Sequence, residues 1–121
     1  TNIAGFLEKD SIAGKKMLKV EDLVSMGGSA ATEIERDRKL GAIVTDCLTI
    51  FSYGLAASEE NFTEIECNLH VALFYDVLLK VAQKIGSLTP EGADSLKEWK
   101  EDPLNWGEIR GFPRIKNERN N

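Results

Sequence analysis

Apolar positions recur along this chain at helical spacing. Ala30, Ile34, Gly41, Val44, Leu48, Phe51 and Leu55 fall on one stripe of a 3.6-residue period, with Leu40 and Cys47 on its flank. Further on, Cys67, Val71, Phe74, Leu78, Val81 and Ile85 repeat at alternating steps of four and three, and Leu73, Tyr75, Val77 and Leu79 widen that seam. The pattern predicts a mainly α protein: a compact helical domain on two long antiparallel helices, about 30–57 and 59–86, with short N- and C-terminal helices. One segment argues otherwise. The run "IVTDCLTIFSY" is rich in β-branched and aromatic residues, so the alternative is an α+β fold with a hairpin within 40–54 that turns near Thr45 and Asp46.

Punctuation supports the helical reading. Gly5, Gly14 and Gly27-Gly28 divide the first 28 residues into short pieces, of which "KVEDLVSM" is the clearest helix. Thr32 with Glu35 forms a capping box for the next one. Glu59, Glu60, Glu64 and Glu66 suit the positive end of a helix dipole, and Gly86 suits a C-terminal cap. Thr89 and Pro90 mark the start of a helix to about Lys100. Residues 1–102 therefore form a single helical domain, and 103–121 a basic, Pro- and Gly-containing extension.

The second seam is apolar over most of its circumference. One long partner and a few short helices leave part of it uncovered, and wet Val, Leu, Ile and Phe side chains each forfeit roughly 1.5 to 3 kcal/mol. The N-terminal 28 residues folding back are one cover; otherwise Val71, Phe74, Tyr75, Leu78, Val81 and Ile85 are the expected interface, with a second copy of the chain or another protein as the cover.

Composition adds little chemistry. The chain has 121 residues, 42% hydrophobic and 29% charged, a globular composition, and its net charge of −5 disfavours broad nucleic-acid binding. Two cysteines and one histidine build neither a disulfide framework nor a clustered zinc site, and no run is long enough to span a bilayer. The reading is a cytoplasmic protein with no membrane association.

His70 reads as packed and hydrogen-bonded to Glu66, Cys47 and Cys67 as core residues, and the Glu59–Glu66 group as helix-end charge. "AGKK" lacks the spacing of a phosphate loop. No catalytic residue, metal ligand or cofactor is expected.

"LFYDVLLKVAQKIG" resembles the last helices of all-α nucleotide pyrophosphohydrolases of the MazG type, which implies ExxE and ExxD motifs holding Mg²⁺. Glu33 and Glu35 have a different spacing, and Asn68 and Val71 stand where acids are required, so no ligand set carries over.

In the tail, Trp106 and Phe112 interleave with Arg110, Arg114, Lys116 and Arg119, residue types that stack on and neutralise nucleic acid or meet an acidic partner. The expected function is a non-enzymatic interaction, assembly or regulatory module that self-associates as a homodimer. The alternatives are an accessory nucleic-acid-binding protein using the tail and a small helical cation-dependent enzyme.

Overall fold

The structure is a computed structural model and describes residues 9–113. Its core is a parallel sheet. In chain order the elements are α1 (Lys9–Ile12), β1 (Lys16–Val24), α2 (Gly28–Lys39), β2 (Ile43–Ser52), α3 (Ala56–Glu64), β3 (Asn68–Phe74), α4 (Tyr75–Lys84), α5 (Pro90–Glu101) and α6 (Trp106–Ile109). The strands lie in the order β1-β2-β3, and both pairings are parallel. Two compact units divide between Leu78 and Leu79.

Parallel neighbours cannot be joined by a tight turn, so each strand returns through a helix. α2 packs on β1 and β2, α3 packs on β3, and the two helices touch each other, forming one layer on one face of the sheet. Between sheet and helices lie Val24, Ala30, Ile34, Val44, Cys47, Phe62 and Cys67, all buried. Along β2, Cys47 and Thr49 are inaccessible to solvent while Leu48 and Ile50 are exposed, the two-residue period of a strand with one covered face. An extra β2 residue, Thr45, breaks the register between Met17/Val44 and Leu18/Asp46 as a bulge.

This architecture overturns the helical-domain expectation. "KVEDLVSM" lies mostly within β1, whose side chains alternate between exposed and half-buried. The expected 30–57 helix is most of α2, all of β2 and the start of α3; Ala30 and Ile34 belong to a helix, whereas Val44, Leu48 and Phe51 belong to a strand. The α+β hairpin alternative is overturned as well, since Ile43–Ser52 is one strand with parallel neighbours and the position given to the hairpin turn is the Thr45 bulge. The expected 59–86 helix is α3, β3 and α4 in succession. In "NLHVALF", Leu69, Val71 and Leu73 are half-buried and Asn68, His70, Ala72 and Phe74 exposed, which is strand alternation. The run likened to MazG-type helices begins inside that strand. α2 starts four residues before Thr32, whose hydroxyl donates back to the Gly28 carbonyl at 2.9 Å. The Thr89 cap does form: its Oγ1 accepts from the Gly92 N–H at 3.1 Å, with Pro90 opening α5.

Arg38 secures the starts of two strands. Its guanidinium donates from Nε to the Val44 carbonyl at 3.0 Å, and from its terminal nitrogens to the carbonyls of Val44 and Ile65. One cation thus ties the end of α2 to the first residues of β2 and to the turn entering β3, where Glu66 adopts φ 51. Arg38→Met keeps the aliphatic stem but leaves these acceptors without their charged donor. A loss of about 2 kcal/mol in urea denaturation is expected, and an unchanged midpoint would show that the clamp does not hold the strand starts.

Candidate functional site

In open parallel sheets, ligands bind outside the carboxyl ends of the strands, where backbone groups and helix N-termini converge. Here that edge is built from the segment after Val24, the segment after Ser52, and Phe74, which runs directly into α4. The first segment has the most chemistry. Residues 21–29, "EDLVSMGGS", pass from two acids on β1 through a short turn into α2.

Gly27 makes that turn, with φ 81 and ψ −6. A Cβ there would stand 3.1 Å from Phe62 Cε2 and 3.4 Å from Ser58 Cα, so a side chain would meet both backbone strain and the surface of α3. Gly28 meets nothing within 4 Å. No side chain caps α2 and no acid lies in its first turn, while the first helical bond runs from the Ala31 N–H to the Gly27 carbonyl at 2.9 Å. The N–H groups of Gly28, Ser29 and Ala30 precede that bond and lie at the positive end of the helix dipole, which favours an anion.

The second segment braces the first. Tyr53 N–H donates to the Val24 carbonyl at 3.3 Å, and Asn61 Nδ2 to the Met26 carbonyl at 2.8 Å. Ser58 donates its hydroxyl to the Leu55 carbonyl at 2.7 Å, and Ser52 Oγ accepts from the Gly54 N–H at 3.0 Å. Phe51, Tyr53 and Tyr75 form an aromatic chain with centroid separations of 5.2 and 5.4 Å.

Below the turn, Lys19 bridges β1 to α2, lying 3.3 Å from Glu21 and pairing with Glu33. Burial pulls Lys19 down, but the hydrogen bond to Glu33 and the charges of Glu21 and Glu33 outweigh it and hold the ammonium above its ordinary value. Its hydrogen bond holds Glu33 below the ordinary range. Asp22 is exposed, and its Oδ1 accepts from the Leu23 N–H at 2.7 Å. Among the described residues, no three His, Cys, Asp or Glu side chains converge as a metal ion would require.

The expected interface residues do not form one helical seam. Val71 and Phe74 lie on β3; Tyr75, Leu78 and Val81 lie on α4, with Ile85 just beyond it. Tyr75 is buried, while Phe74, Leu78, Val81 and Ile85 are exposed. In the tail, Trp106 and Phe112 stack at 6.3 Å, and Arg110 sits 5.1 Å from the Trp106 ring centroid and pairs with Glu98. Arg114, Lys116 and Arg119 lie outside the described residues. Cys47 and Cys67 are buried and free; burial pushes the Cys47 thiol up to about 11 and raises Cys67 as well.

His70 pairs with Asp46 rather than Glu66, at 2.8 Å, because parallel register sets β3 beside β2. That hydrogen bond, followed by those from Thr45 and Asn68, lowers the Asp46 carboxyl to about 2.

No family model matches the chain. Among curated proteins it is similar to orotate phosphoribosyltransferases. It is 42% identical over 95 residues to that of Streptococcus pneumoniae serotype 19F, spanning 78% of this chain and 45% of the relative. The Listeria monocytogenes serotype 4b enzyme is 39% identical over 94 residues, with the same shares. For the Staphylococcus aureus strain Mu50 enzyme the figures are 35% over 89 residues, 74% and 44%. The chain thus spans about half the length of the curated relatives it matches.

Among solved structures, the crystal structure of orotate phosphoribosyltransferase from Aeropyrum pernix matches with a TM-score of 0.52 and 23% identity, covering 62% of this chain and 40% of that one. Leishmania donovani UMP synthase matches with 0.61 and 17%, covering 72% and 19%. The fold is therefore the α/β fold of phosphoribosyltransferases.

These likenesses to enzymes overturn the non-enzymatic assembly module and the all-α keywords that accompanied it. Of the alternatives, the enzyme reading comes nearest, although the relatives are orotate phosphoribosyltransferases and not small helical cation-dependent enzymes. The β1–α2 turn was missed in the sequence because Gly27-Gly28 was read as a break between helices. The available signal was alternation through residues 16–22, then Gly-Gly-Ser, then helical spacing: a strand, a glycine turn and a helix N-terminus.

The Asp46 carboxyl carries a pH signature. Its ordinary value is 3.8 and its folded value about 2, so its contribution is complete above the former and disappears as pH falls through the latter. The melting-temperature difference between the parent and Asp46→Asn should shrink between pH 4 and about 2. A constant difference across that interval would contradict the pairing.

Proposed function

We propose that this chain carries the phosphate-holding part of an orotate phosphoribosyltransferase, with the β1–α2 turn gripping the phosphate of the phosphoribosyl group. The observation that carries the reading is the 42% identity over 95 residues to the Streptococcus pneumoniae enzyme, in a segment that includes an uncapped helix N-terminus after a parallel strand. A phosphoribosyl group brings an anion and sugar hydroxyls. The N–H groups of Gly28, Ser29 and Ala30 suit the anion, and the exposed Asp22 carboxylate suits the hydroxyls as an acceptor. Gly27 lets the backbone approach the phosphate closely.

Binding of ribose 5-phosphate to the full chain, measured by titration calorimetry, tests this site. Gly28→Asp is sterically tolerated, and its carboxylate favours the helix N-terminus while opposing a second anion there. Affinity should fall about tenfold, equivalent to about 1.4 kcal/mol, with thermal stability unchanged or raised. Absent binding by the parent, or equal binding by the variant, would remove the assignment.

A further inference from the structure

Two carbonyls of the β1–α2 turn are held from the neighbouring segment. The Tyr53 N–H donates to the Val24 carbonyl at 3.3 Å, and Asn61 Nδ2 on α3 donates to the Met26 carbonyl at 2.8 Å. The peptide bonds of the described residues are all trans. A trans peptide points its C=O and its N–H in opposite directions. With the Met26 carbonyl drawn to α3, the Gly27 N–H of the same peptide therefore faces away from α3. Among the described residues that N–H has no hydrogen-bond partner.

The backbone on that side forms a concavity. Gly27 is left-handed, with φ 81 and ψ −6, and Gly28 opens α2 in the right-handed conformation. Successive residues of opposite hand turn their N–H groups to one side and make an anion-binding nest. The N–H groups of Gly27, Gly28 and Ser29 are the three that this pair gathers.

Glycine also makes the arrangement reversible. With no Cβ at position 27, the Met26–Gly27 peptide can turn over at small steric cost, which would present a carbonyl to the anion in place of an N–H. Phe62 and Ser58 close against Gly27 without deciding between the two orientations, because Phe62 has no polar group and the Ser58 hydroxyl is given to the Leu55 carbonyl at 2.7 Å. Asn61 supplies the bond that does decide.

We propose that Asn61 is a positioning residue for the phosphate, acting through the Met26–Gly27 peptide to hold the Gly27 N–H in the nest beside those of Gly28 and Ser29. The inference rests on the phosphate-holding reading above and adds to it a side chain on another helix, 35 positions along the chain from Met26. Asn61 touches the peptide and not the ligand, so its loss weakens the grip while the N-terminus of α2 stays in place.

Ribose 5-phosphate titrated into the full 121-residue chain, followed by calorimetry and by nuclear magnetic resonance of the backbone amides, tests this. In the parent, the Gly27, Gly28 and Ser29 amides should shift together on binding. Asn61→Leu keeps the approximate size of the side chain and removes the donor, so affinity should fall about tenfold, as for one lost hydrogen bond to a charged group. The Gly27 amide should then stop responding while those of Gly28 and Ser29 still move. Asn61→Asp has the same shape with no N–H to donate and should lose the Gly27 response likewise, which keeps the test in force should circular dichroism show Asn61→Leu unfolded. A lowered melting temperature with the three amides still responding together would mark a merely structural side chain and overturn the positioning role, as would unchanged affinity in both variants. A parent that binds no ribose 5-phosphate would remove the phosphate site itself and this role with it, so the parent titration tells the two failures apart.

Discussion

Parallel pairing is the constraint from which the rest of the structure follows. Strands that run the same way must be joined through a crossover, and each crossover here is a helix of 9 to 12 residues. Because the sheet grows steadily from β1 to β3, both helices fall on one face and bury Ile34, Cys47 and Phe62 between the layers. The same arrangement brings the carboxyl ends of the strands to one edge and turns each connection there into a loop followed by a helix N-terminus. On the face away from α2 and α3, Val20, Leu48 and Ile50 are exposed among the described residues. Core and candidate site are two consequences of one topological choice.

The site depends on support from its neighbour. A glycine turn alone would be a flexible segment, but Asn61 fixes the Met26 carbonyl, Phe62 and Ser58 close against Gly27, and Tyr53 ties the second loop to the end of β1. Residues of α3 therefore hold a backbone they do not themselves complete chemically. Lys19 and Arg38 perform a comparable task on α2, one at its first half through Glu33 and one at its last turn through strand carbonyls. Charged groups on the helix-covered side thus serve to set the helix against the sheet, and the N-terminus of α2 is left without a side-chain cap.

Much of the local structure was legible, but its assembly was not. Thr89 and Pro90 carry an unambiguous cap, because side-chain and backbone geometry at a helix start are set by adjacent residues. β2 announced itself through Ile43, Val44, Thr45 and Thr49, yet helical spacing from Ala30 and Ile34 continued into it by coincidence, since steps of three and four also land on strand positions. β3 was hidden for a related reason: it runs into α4 without a turn, so Val71 and Phe74 share one apolar run with Leu78 and Val81. Strand partners and direction are long-range properties that no spacing encodes. The glycine turn was visible as a break, and only the strand before it gives the break its meaning as a site.

The account stands on parallel register across all three strands, which nuclear magnetic resonance reads directly in the full chain. Cross-strand proton contacts should link the neighbourhood of Val20 with that of Leu48, and Leu48 with that of His70, in the pattern of parallel neighbours. Sequential helical contacts through residues 43–52, or antiparallel contacts within them, would contradict the fold and with it the candidate site.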